Sequence, residues 1–388
     1  MSYNGKLPTT KLGPLCRKIG SGATPRGGKD VYLASGPFSL IRSQNVHNNR
    51  FADEGLAFIS KEQADDLSNV EVSAGDVLLN ITGDSVARCC QAPRHVLPAR
   101  VNQHVAIIRP DADNLDPTFL RYFLVSPQMQ EQMLTLAGAG ATRSALTKGM
   151  IENFDVPKPD ITEQRAVAAV LKTLDDKIEL NRHINTTLEA LAQGLFKHWF
   201  EDATVDGLPQ GWRESRLGDL ADVTWGDTNT TKASYSIQGF PAYSAAGCDG
   251  FLPHHDFDRI GVVVSAIGAN AGVTWLALGK WSCIKNTIRF WATEEEISTE
   301  YLFYATHGKE KWPLRGSAQP FIAQGDARAM KIIVPSNKLG KRFGEVVGPL
   351  HLKISANNEE SRTLAELRDA LLPKLLSGEI AVNPNILL

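Results

Sequence analysis

Two long stretches of the chain repeat apolar residues at steps of three and four, which is the pattern of a helix with one apolar face. The first stretch covers residues 162–200 and contains no proline, and the second covers residues 338–377. The apolar positions are Val167, Val170, Leu174, Ile178, Ile184, Leu188, Leu191, Leu195 and Trp199 in the first, and Phe343, Val346, Leu350, Ile354, Leu364, Leu367, Leu371 and Leu375 in the second. Both stretches predict long helices.

The ends and the middle of the predicted helices carry polar signals. Thr162 is predicted to cap the first helix, Glu163 lies favourably in its first turn, and Gly378 suits the end of the second. Polar residues interrupt the stripes at Asn181 and at Asn357, Asn358 and Ser361. Because such interruptions set register and orientation in paired helices, an antiparallel coiled coil of roughly 55 Å is predicted. The alternative is that each helix packs only on its own domain as ordinary core.

The segments between these helices form a long, degenerate repeat of short apolar runs, glycine turns and short helices. Five segments recur in the same order: 12–15 with 217–220, 76–83 with 261–268, 101–107 with 284–290, 119–122 with 301–304, and 154–157 with 332–335. The spacing shrinks along the chain, so the second copy is the shorter one. This mixture predicts an α+β fold with two α/β domains and a pseudo-twofold internal repeat.

The predicted domain boundaries follow from these patterns. A first domain covers 1–158, the central long helix 159–203, a second domain 204–335, the distal long helix 336–380 and a tail 381–388. The loops differ most between the two copies. If the loops carry function on a shared scaffold, the two domains should recognise different targets.

Composition argues against a strongly basic surface. The chain has 388 residues with 41 Lys+Arg against 43 Asp+Glu, whereas proteins that grip nucleic acid usually carry a basic excess. Any DNA-binding face must therefore be a limited part of the surface, with the acidic residues elsewhere. We expect the chain to need partner proteins in order to bind DNA tightly. No apolar run reaches the ~18 residues of a membrane span, which leads us to expect a cytoplasmic protein. The five cysteines form no CxxC pair, so neither disulfides nor zinc are predicted.

The sequence motifs of several enzyme classes are missing. No Asn/Asp-Pro-Pro-aromatic loop of an adenine methyltransferase occurs, and no nuclease carboxylate triad has suitable spacing. Segment 22–29 has Gly28 where a phosphate loop has lysine, segment 138–142 follows a helical stretch and not a strand, and His254-His255-Asp256 has no second ligand cluster. A non-catalytic binding protein is predicted. The alternatives are a nuclease or methyltransferase with an unrecognised motif, and a structural scaffold whose two domains bind protein.

The long helices resemble a known family. Residues 162–171 (TEQRAVAAVL), 174–182 (LDDKIELNR) and 191–200 (LAQGLFKHWF) are similar to the central conserved helix of type I restriction-modification specificity (S) subunits, and 367–380 (LRDALLPKLLSGEI) to the distal conserved region. Residues 21–25 (SGATP) and 102–104 (NQH) resemble segments of target recognition domains in that family. Residues 338–345 depart from the pattern, since they lack the Glu-Gln-Arg start of the first helix.

The resemblance implies the DNA sequence-specificity subunit of a restriction system, without chemistry of its own. Each target recognition domain would read one half of an asymmetric bipartite site in double-stranded DNA, and the coiled coil would set the gap. Two modification subunits would dock on the coiled coil and bind S-adenosylmethionine, and restriction or motor subunits using ATP and Mg would join through them. No cofactor is expected in this subunit.

Candidate DNA contacts are polar or aromatic residues in the predicted loops. Arg and Lys suit guanine or phosphate, Asn and Gln suit adenine, and aromatic rings pack against methyl groups or sugars. The candidates are Arg26, Lys29, Arg42, Gln44, Asn45, Asn102, Gln103 and Arg143 in the first domain, and Thr230, Lys232, Ser244, Asn270, Lys285, Asn286, Gln319 and Phe321 in the second. The alternative for each is a capping or solvated residue.

Overall fold

The computed structural model describes residues 7–138 and 145–383. The chain divides into two compact units, Met1–Glu179 with Ser361–Leu388 and Leu180–Glu360. Both long helices therefore contribute one part to each unit. No helix within the described ranges is long and apolar enough to cross a membrane.

The first unit consists of short strands, short helices and parts of both long helices. Its strands are β1 (Thr9–Lys11), β2 (Cys16–Ser21), β3 (Phe38–Ile41), β4 (Val46–His47), β5 (Arg50–Phe51), β6 (Ala57–Ile59), β7 (Glu71–Val72), β8 (Val77–Asn80), β9 (Cys89–Gln91), β10 (Ala99–Val101), β11 (Val105–Pro110) and β12 (Asp155–Pro157). The helices that begin in it are α1 (Lys61–Asp66), α2 (Pro117–Val125), α3 (Pro127–Gly138), α4 (Lys148–Glu152) and the long α5 (Ile161–Phe196).

The second unit has the same kinds of element. Its strands are β13 (Arg213–Arg216), β14 (Thr224–Trp225), β15 (Phe240–Ser244), β16 (Gly247–Leu252), β17 (Phe257–Asp258), β18 (Gly261–Ser265), β19 (Thr274–Ala277), β20 (Lys280–Cys283), β21 (Thr287–Phe290) and β22 (Lys331–Val334). Its helices are α6 (Leu217–Leu220), α7 (Thr299–Thr306), α8 (Gln324–Ala329) and the long α9 (Leu339–Leu376).

Both units build their sheets in the same order. The first has the sheets β2-β11-β8-β9 and β6-β3-β10-β7 and the second has β14-β21-β18-β19 and β16-β15-β20-β17, while β1 pairs with β12 and β13 with β22. In each unit one equivalent pair is parallel, β3 with β10 and β15 with β20. The predicted α+β fold with an internal repeat is confirmed.

The apolar runs of the repeat are central strands with a core on each face. In β8, Val77 and Leu79 belong to the core cluster that contains α2, whereas Leu78 belongs to the cluster of the neighbouring sheet. In β18, Val264 and Val263 divide in the same way between two clusters. A strand buried on both faces has no polar alternation, which explains why these segments read as continuous apolar runs.

The helix ends agree only partly with the sequence prediction. Helix α5 begins at Ile161, so Thr162 lies inside the first turn, and the predicted cap at Thr162 is wrong. Glu163 lies in that first turn as expected. After α9, Gly378 has a φ of 72°, a backbone conformation that glycine adopts without strain, and the prediction that it ends the helix is confirmed.

The buried face of the long helices is shifted from the predicted stripe. Leu191, Val346 and Leu367 are 49%, 44% and 47% exposed, whereas the neighbouring Ala192 and Val347 are fully buried. The predicted stripe is therefore wrong at those three positions. Each helix packs on a domain as well as on the other helix, and the two contacts together select a different set of residues.

Each unit joins both long helices to its own domain core. In the first unit, Leu171 of α5 and Leu372 of α9 lie in the same core cluster as Phe119 of α2. In the second unit, Phe196 of α5 and Phe343 of α9 have ring centroids 5.6 Å apart. Helix pairing and packing on the domain, which the sequence offered as alternatives, therefore both occur.

Candidate nucleic-acid interface

Each unit places a glycine against the turn that joins two equivalent strands. Gly22 donates its N–H to Val105 O over 2.9 Å, and Gly226 donates to Thr287 O over the same distance. A Cβ on Gly22 would lie 2.1 Å from Val101 O, and one on Gly226 would lie 2.3 Å from Thr287 Oγ1. Only glycine permits this approach, so the loops after β2 and β14 are held close to the β10–β11 and β20–β21 turns.

A chain of polar side chains crosses this turn in the first unit. Thr24 Oγ1 donates to Gln103 Oε1 over 2.5 Å, and Gln103 Nε2 lies 3.0 Å from His104 Nε2. The other ring nitrogen of His104, Nδ1, lies 2.6 Å from Thr82 Oγ1. Gln103 is exposed, and its amide group is held from both sides.

A second polar group of the first unit gathers around Gly55. Arg42 Nη2 and Gln44 Nε2 both donate to Gly55 O, the latter over 3.0 Å. The Arg42 guanidinium also lies over the Tyr32 ring, 5.4 Å from its centroid. Arg42 is half-buried and Gln44 exposed, so these contacts leave part of each side chain at the surface.

In the second unit the candidates surround a surface cavity of about 340 Å³. Its lining includes Lys232, Ser244, Asn270, Lys285 and Asn286, five of the eight residues predicted for this domain. The remaining three are nearby or on the adjoining loop: Lys285 N donates to Thr230 O over 3.3 Å, Phe321 bridges to the lining residue Ile267, and Gln319 lies in the same loop as Phe321.

One lysine at this cavity is neutralised by a carboxylate. Lys232 Nζ donates to Asp249 Oδ2, and Asp249 also accepts from Tyr235 OH and Ser244 Oγ, each over 2.8 Å. Partial burial is the largest single effect on the pKa of the Asp249 carboxyl and raises it, but the three hydrogen bonds and the Lys232 charge together lower the pKa. Asp249 is therefore ionised at neutral pH.

Three residues that the sequence predicted as DNA contacts are buried, so the prediction is wrong for them. Asn45 is 0% exposed and donates to Ala52 O over 2.9 Å, and Asn102 is 6% exposed and accepts from His104 N over 3.1 Å. Ser244 is 2% exposed and donates to Asp249. These side chains shape loops from inside because polar groups that leave water need internal partners.

The other predicted residues stay at or near the surface. Lys29, Gln44, Gln103, Lys232, Asn270, Lys285, Gln319 and Phe321 are exposed, and Arg42, Thr230 and Asn286 are half-buried. Arg26 is exposed and lies 4.0 Å from Asp66 of α1. Arg143 lies outside the described residues.

The sequence missed the residues that hold these candidates in place. Thr24, Thr82 and His104 orient Gln103, and Asp249 holds Lys232 from 17 positions away. The glycine of the segment SGATP was a usable signal, since it marks a close backbone approach. No local pattern links Lys232 to Asp249.

The structure also locates the weaker chemical motifs. His254 Nε2 lies 3.8 Å from Asp256 Oδ1, with side chains 58% and 38% exposed. Within residues 7–138 and 145–383 no group of three or more His, Cys, Asp or Glu is arranged to hold a metal ion. None of the five cysteines, which all lie within the described residues, forms a disulfide bond. Segment 138–142 lies outside the described residues except for Gly138, which ends α3.

A charged cluster attaches α2 to the long helices in the first unit. Asp175 of α5 accepts from Arg368 Nη1 of α9 over 2.7 Å, from Tyr122 OH over 2.6 Å and from Arg121 Nη1 over 3.1 Å. The Asp175 and Arg368 side chains are each 16% exposed, and Arg121 is 6% exposed. The carboxylate therefore neutralises two largely buried guanidinium groups.

A neutral pair has the corresponding position in the second unit. Tyr304 of α7, the counterpart of Tyr122, lies with its OH 3.0 Å from His351 Nε2 of α9. His351 is 9% exposed, and burial lowers the pKa of its imidazole to about 4. The ring is therefore neutral at pH 7.

Three of the predicted polar interruptions, Asn181, Asn357 and Asn358, form one network with Asn185 within the second unit. Asn185 Nδ2 donates to Asn358 Oδ1, and Asn357 Nδ2 donates to Asn185 Oδ1, each over 2.8 Å. Asn181 Nδ2 donates to Glu360 Oε2 over 2.9 Å. Partner numbers fall along α9 as they rise along α5, so these helices are antiparallel, as predicted.

Comparison with known proteins gives consistent matches. The model of the family described as type I restriction modification DNA specificity domain matches residues 9–190. The specificity subunit of the type I restriction enzyme MjaIX of Methanocaldococcus jannaschii is 25% identical over 74% of both chains. The HindI specificity subunit of Haemophilus influenzae is 24% identical over 88% of this chain and 94% of its own length.

One solved structure shares the fold over almost the whole chain. The crystal structure of the S subunit of a type I restriction-modification system from M. genitalium superposes with a TM-score of 0.65 and 18% identity, covering 97% of both chains. At that identity the match establishes the fold alone.

Proposed function

We propose that the chain is a type I restriction-modification specificity subunit whose two domains each read one half of an asymmetric bipartite site in double-stranded DNA; the family model over residues 9–190 and the relatives that are 24% and 25% identical support this. The observation that carries this proposal is the turn built twice on the same backbone hydrogen bonds. The first unit presents Gln103 and His104 there, and the second presents Lys285 and Asn286. One scaffold with two sets of side chains suits two different half-sites.

Methylome sequencing tests this reading role. Cells that carry the chain with its modification subunits should methylate one asymmetric bipartite motif. The double variant Asn270→Ala, Lys285→Ala should alter only one half of that motif, and the exposed control Lys353→Ala on α9 should alter neither. A change in both halves, or no sequence-dependent binding of duplex DNA by the complex, would contradict the proposal. The latter result would favour a protein-binding scaffold.

We propose that this subunit performs no chemistry of its own. Its modification subunits would bind S-adenosylmethionine and methylate adenine, and restriction or motor subunits would use ATP and Mg. The purified chain alone should therefore neither methylate nor cleave DNA. Methyl transfer by the lone chain, measured with labelled S-adenosylmethionine, would refute this part of the proposal.

The helix pair is proposed to set the unread gap between the half-sites. Removing residues 176–182 and 360–366 deletes Asn181 together with its partner Glu360 and keeps the pairs Asp175–Arg368 and Asn185–Asn357. Seven residues are close to two helical turns and about 10 Å, so the gap should shorten by about three base pairs. Full methylation with an unchanged gap would exclude this role.

The exposed apolar residues of the helices are proposed to dock the modification subunits. Leu180, Leu191 and Leu352 are 52%, 49% and 60% exposed, so these apolar side chains are accessible to a partner. Leu352→Asp should reduce co-purification of a modification subunit without destabilising the chain. The neighbouring exposed Lys353→Asp, with a larger change in charge, is the control. Equal retention of the modification subunits by both variants would exclude docking at Leu352.

A further inference from the structure

Gln103 stands out among the exposed residues of the first unit because its amide group is fixed before any ligand binds. It lies at the tip of the β10–β11 turn, where Asn102 N donates to Ile41 O over 3.0 Å and anchors the turn to β3. Gly22 approaches the same turn from the other side. The backbone that carries Gln103 is therefore held by two neighbouring strands.

Both polar atoms of the Gln103 amide already have a partner. Oε1 accepts from Thr24 Oγ1 over 2.5 Å, and Nε2 is hydrogen-bonded to His104 Nε2 over 3.0 Å. His104 is held in turn by Thr82 Oγ1 over 2.6 Å. A glutamine side chain usually loses considerable rotational entropy on binding. Thr24, His104 and Thr82 form a clamp that restricts Gln103 before a ligand binds, so less of this entropy is lost on binding.

The clamp leaves a defined recognition edge. An amide oxygen has two acceptor positions and an amide nitrogen has two N–H groups. Thr24 and His104 take one position on each atom, and the structure shows no further partner for either atom among the described residues. One acceptor position and one N–H of the same amide therefore remain available to a ligand, also when the amide is rotated by 180°.

We infer that Gln103 selects an adenine, and so an A·T base pair, in the half-site read by the first domain; this assignment rests on the proposed function. Adenine presents the N7 acceptor and the N6 amino donor side by side in the major groove, the complement of the free edge of Gln103. Guanine presents two acceptors and repels the amide oxygen. Thr24 and His104 act as positioning residues for this contact.

The second unit has a different group at the same place. The repeat in the sequence paired Lys285 with Asn102, but in the structure Lys285 follows β20 as Gln103 follows β10, so the predicted pairing is shifted by one residue; Lys285 is exposed, and its ammonium group has no hydrogen-bond or ion-pair partner within residues 7–138 and 145–383. A lysine carries donors only and suits the two acceptors of guanine. The side chain at this turn is thus a position at which the two half-sites differ.

Methylome sequencing of the complete complex tests the assignment with the volume-conserving variant Gln103→Met. One A·T position of the first half-site should lose its selectivity by about 10- to 100-fold, while the second half-site stays unchanged. Gln103→Lys should shift that position towards G·C. Thr24→Val, which removes only one flank of the clamp, should weaken selectivity at the same position by a smaller factor.

Gln128→Met is the matched control, because Gln128 of α3 is also an exposed glutamine of the first unit and is neither part of the clamp nor a candidate DNA contact. Thermal unfolding checks that each variant folds, and Gln103→Ala replaces Gln103→Met if that variant does not accumulate. An unchanged motif in the Gln103 variants, or a uniform loss of methylation without a change of motif, would overturn the assignment. Absence of any bipartite motif with the unsubstituted chain would instead refute the proposed function.

Discussion

The two units share one strand order but attach their domains to the long helices through different chemistry. In the first, the Asp175 carboxylate holds Arg121, Tyr122 and Arg368 in a charged cluster. In the second, Tyr304 meets the neutral ring of His351. A repeated backbone therefore does not require a repeated interaction. The first attachment depends on charge neutralisation, and the second depends on keeping a buried ring unprotonated.

The largest expected effect comes from removing the central charge of the first cluster. Asp175→Asn leaves the largely buried guanidinium of Arg121 without an anion and leaves Arg368 with Asp369 alone, so it should lower the free energy of unfolding of the first unit by about 3 kcal/mol. Hydrogen exchange in α2 measures this. All tryptophans lie between residues 199 and 312, in the second unit, so the tryptophan fluorescence transition should remain unchanged.

Asp176→Asn is the matched control for that variant. Asp176 is the next residue, its side chain is 61% exposed, and it pairs with Lys172 on the same helix. An exposed pair of this kind contributes at most about 0.5 kcal/mol. If Asp175→Asn and Asp176→Asn lower the free energy of unfolding of the first unit equally, the charged cluster does not attach α2 to the long helices.

The second unit should respond to acid through His351. Because burial lowers the folded-state pKa of this imidazole to about 4, below the ~6.5 of the unfolded chain, the unfolded state takes up the proton first as the pH falls. The neutral His351 ring contributes fully to the free energy of unfolding of the second unit above about pH 6.5. This contribution, about 2–3 kcal/mol, is lost as the pH falls towards 4. Fluorescence-detected urea unfolding at pH 7 and pH 4.5 measures it.

Substitution separates this histidine from the other titrating groups. His351→Gln should shrink the difference in unfolding free energy between the two pH values. His198→Gln, at an exposed position in the same unit, should leave that difference unchanged. An equal pH response in both variants would show that the acid sensitivity originates elsewhere.

The smallest expected effect comes from Asp249, the carboxylate that neutralises Lys232 at the cavity of the second unit. Asp249→Asn removes the anion that neutralises Lys232 but keeps a side chain that can accept from Ser244 and Tyr235. The complex should then bind DNA more tightly, by roughly 3- to 5-fold at low salt, with a steeper salt dependence. Fluorescence anisotropy with duplex DNA measures both quantities. Asp258→Asn, an exposed change of equal charge in the same unit, is the control, and an equal gain there would mean that only net charge matters.

The sequence by itself determined the features that depend on short-range patterns. Helix periodicity predicted α5 and α9 to within a few residues, and apolar runs between glycine turns predicted β8 and β18 as equivalent strands. The motifs on the long helices indicated a resemblance to the family whose model matches residues 9–190. These signals are local because each arises from neighbouring residues along one helix or strand.

The tertiary structure alone decided which polar residues face water. Asn45, Asn102 and Ser244 are polar residues of predicted loops, as Gln103 and Lys285 are. In the structure, however, the first three are buried and hydrogen-bonded. Their surroundings come from strands distant in sequence, including the parallel pairs β3–β10 and β15–β20, which periodicity does not encode.

The residues that orient the side chains of the candidate site are also distant from them in sequence. Thr24 lies 79 positions from Gln103, and Arg368 lies 193 positions from Asp175. A hydrogen bond between such residues depends on how whole strands and helices pack, and the chemistry of either residue alone does not reveal it. The sequence named the residue types suited to reading DNA, and folding selected which of them are exposed and held in place.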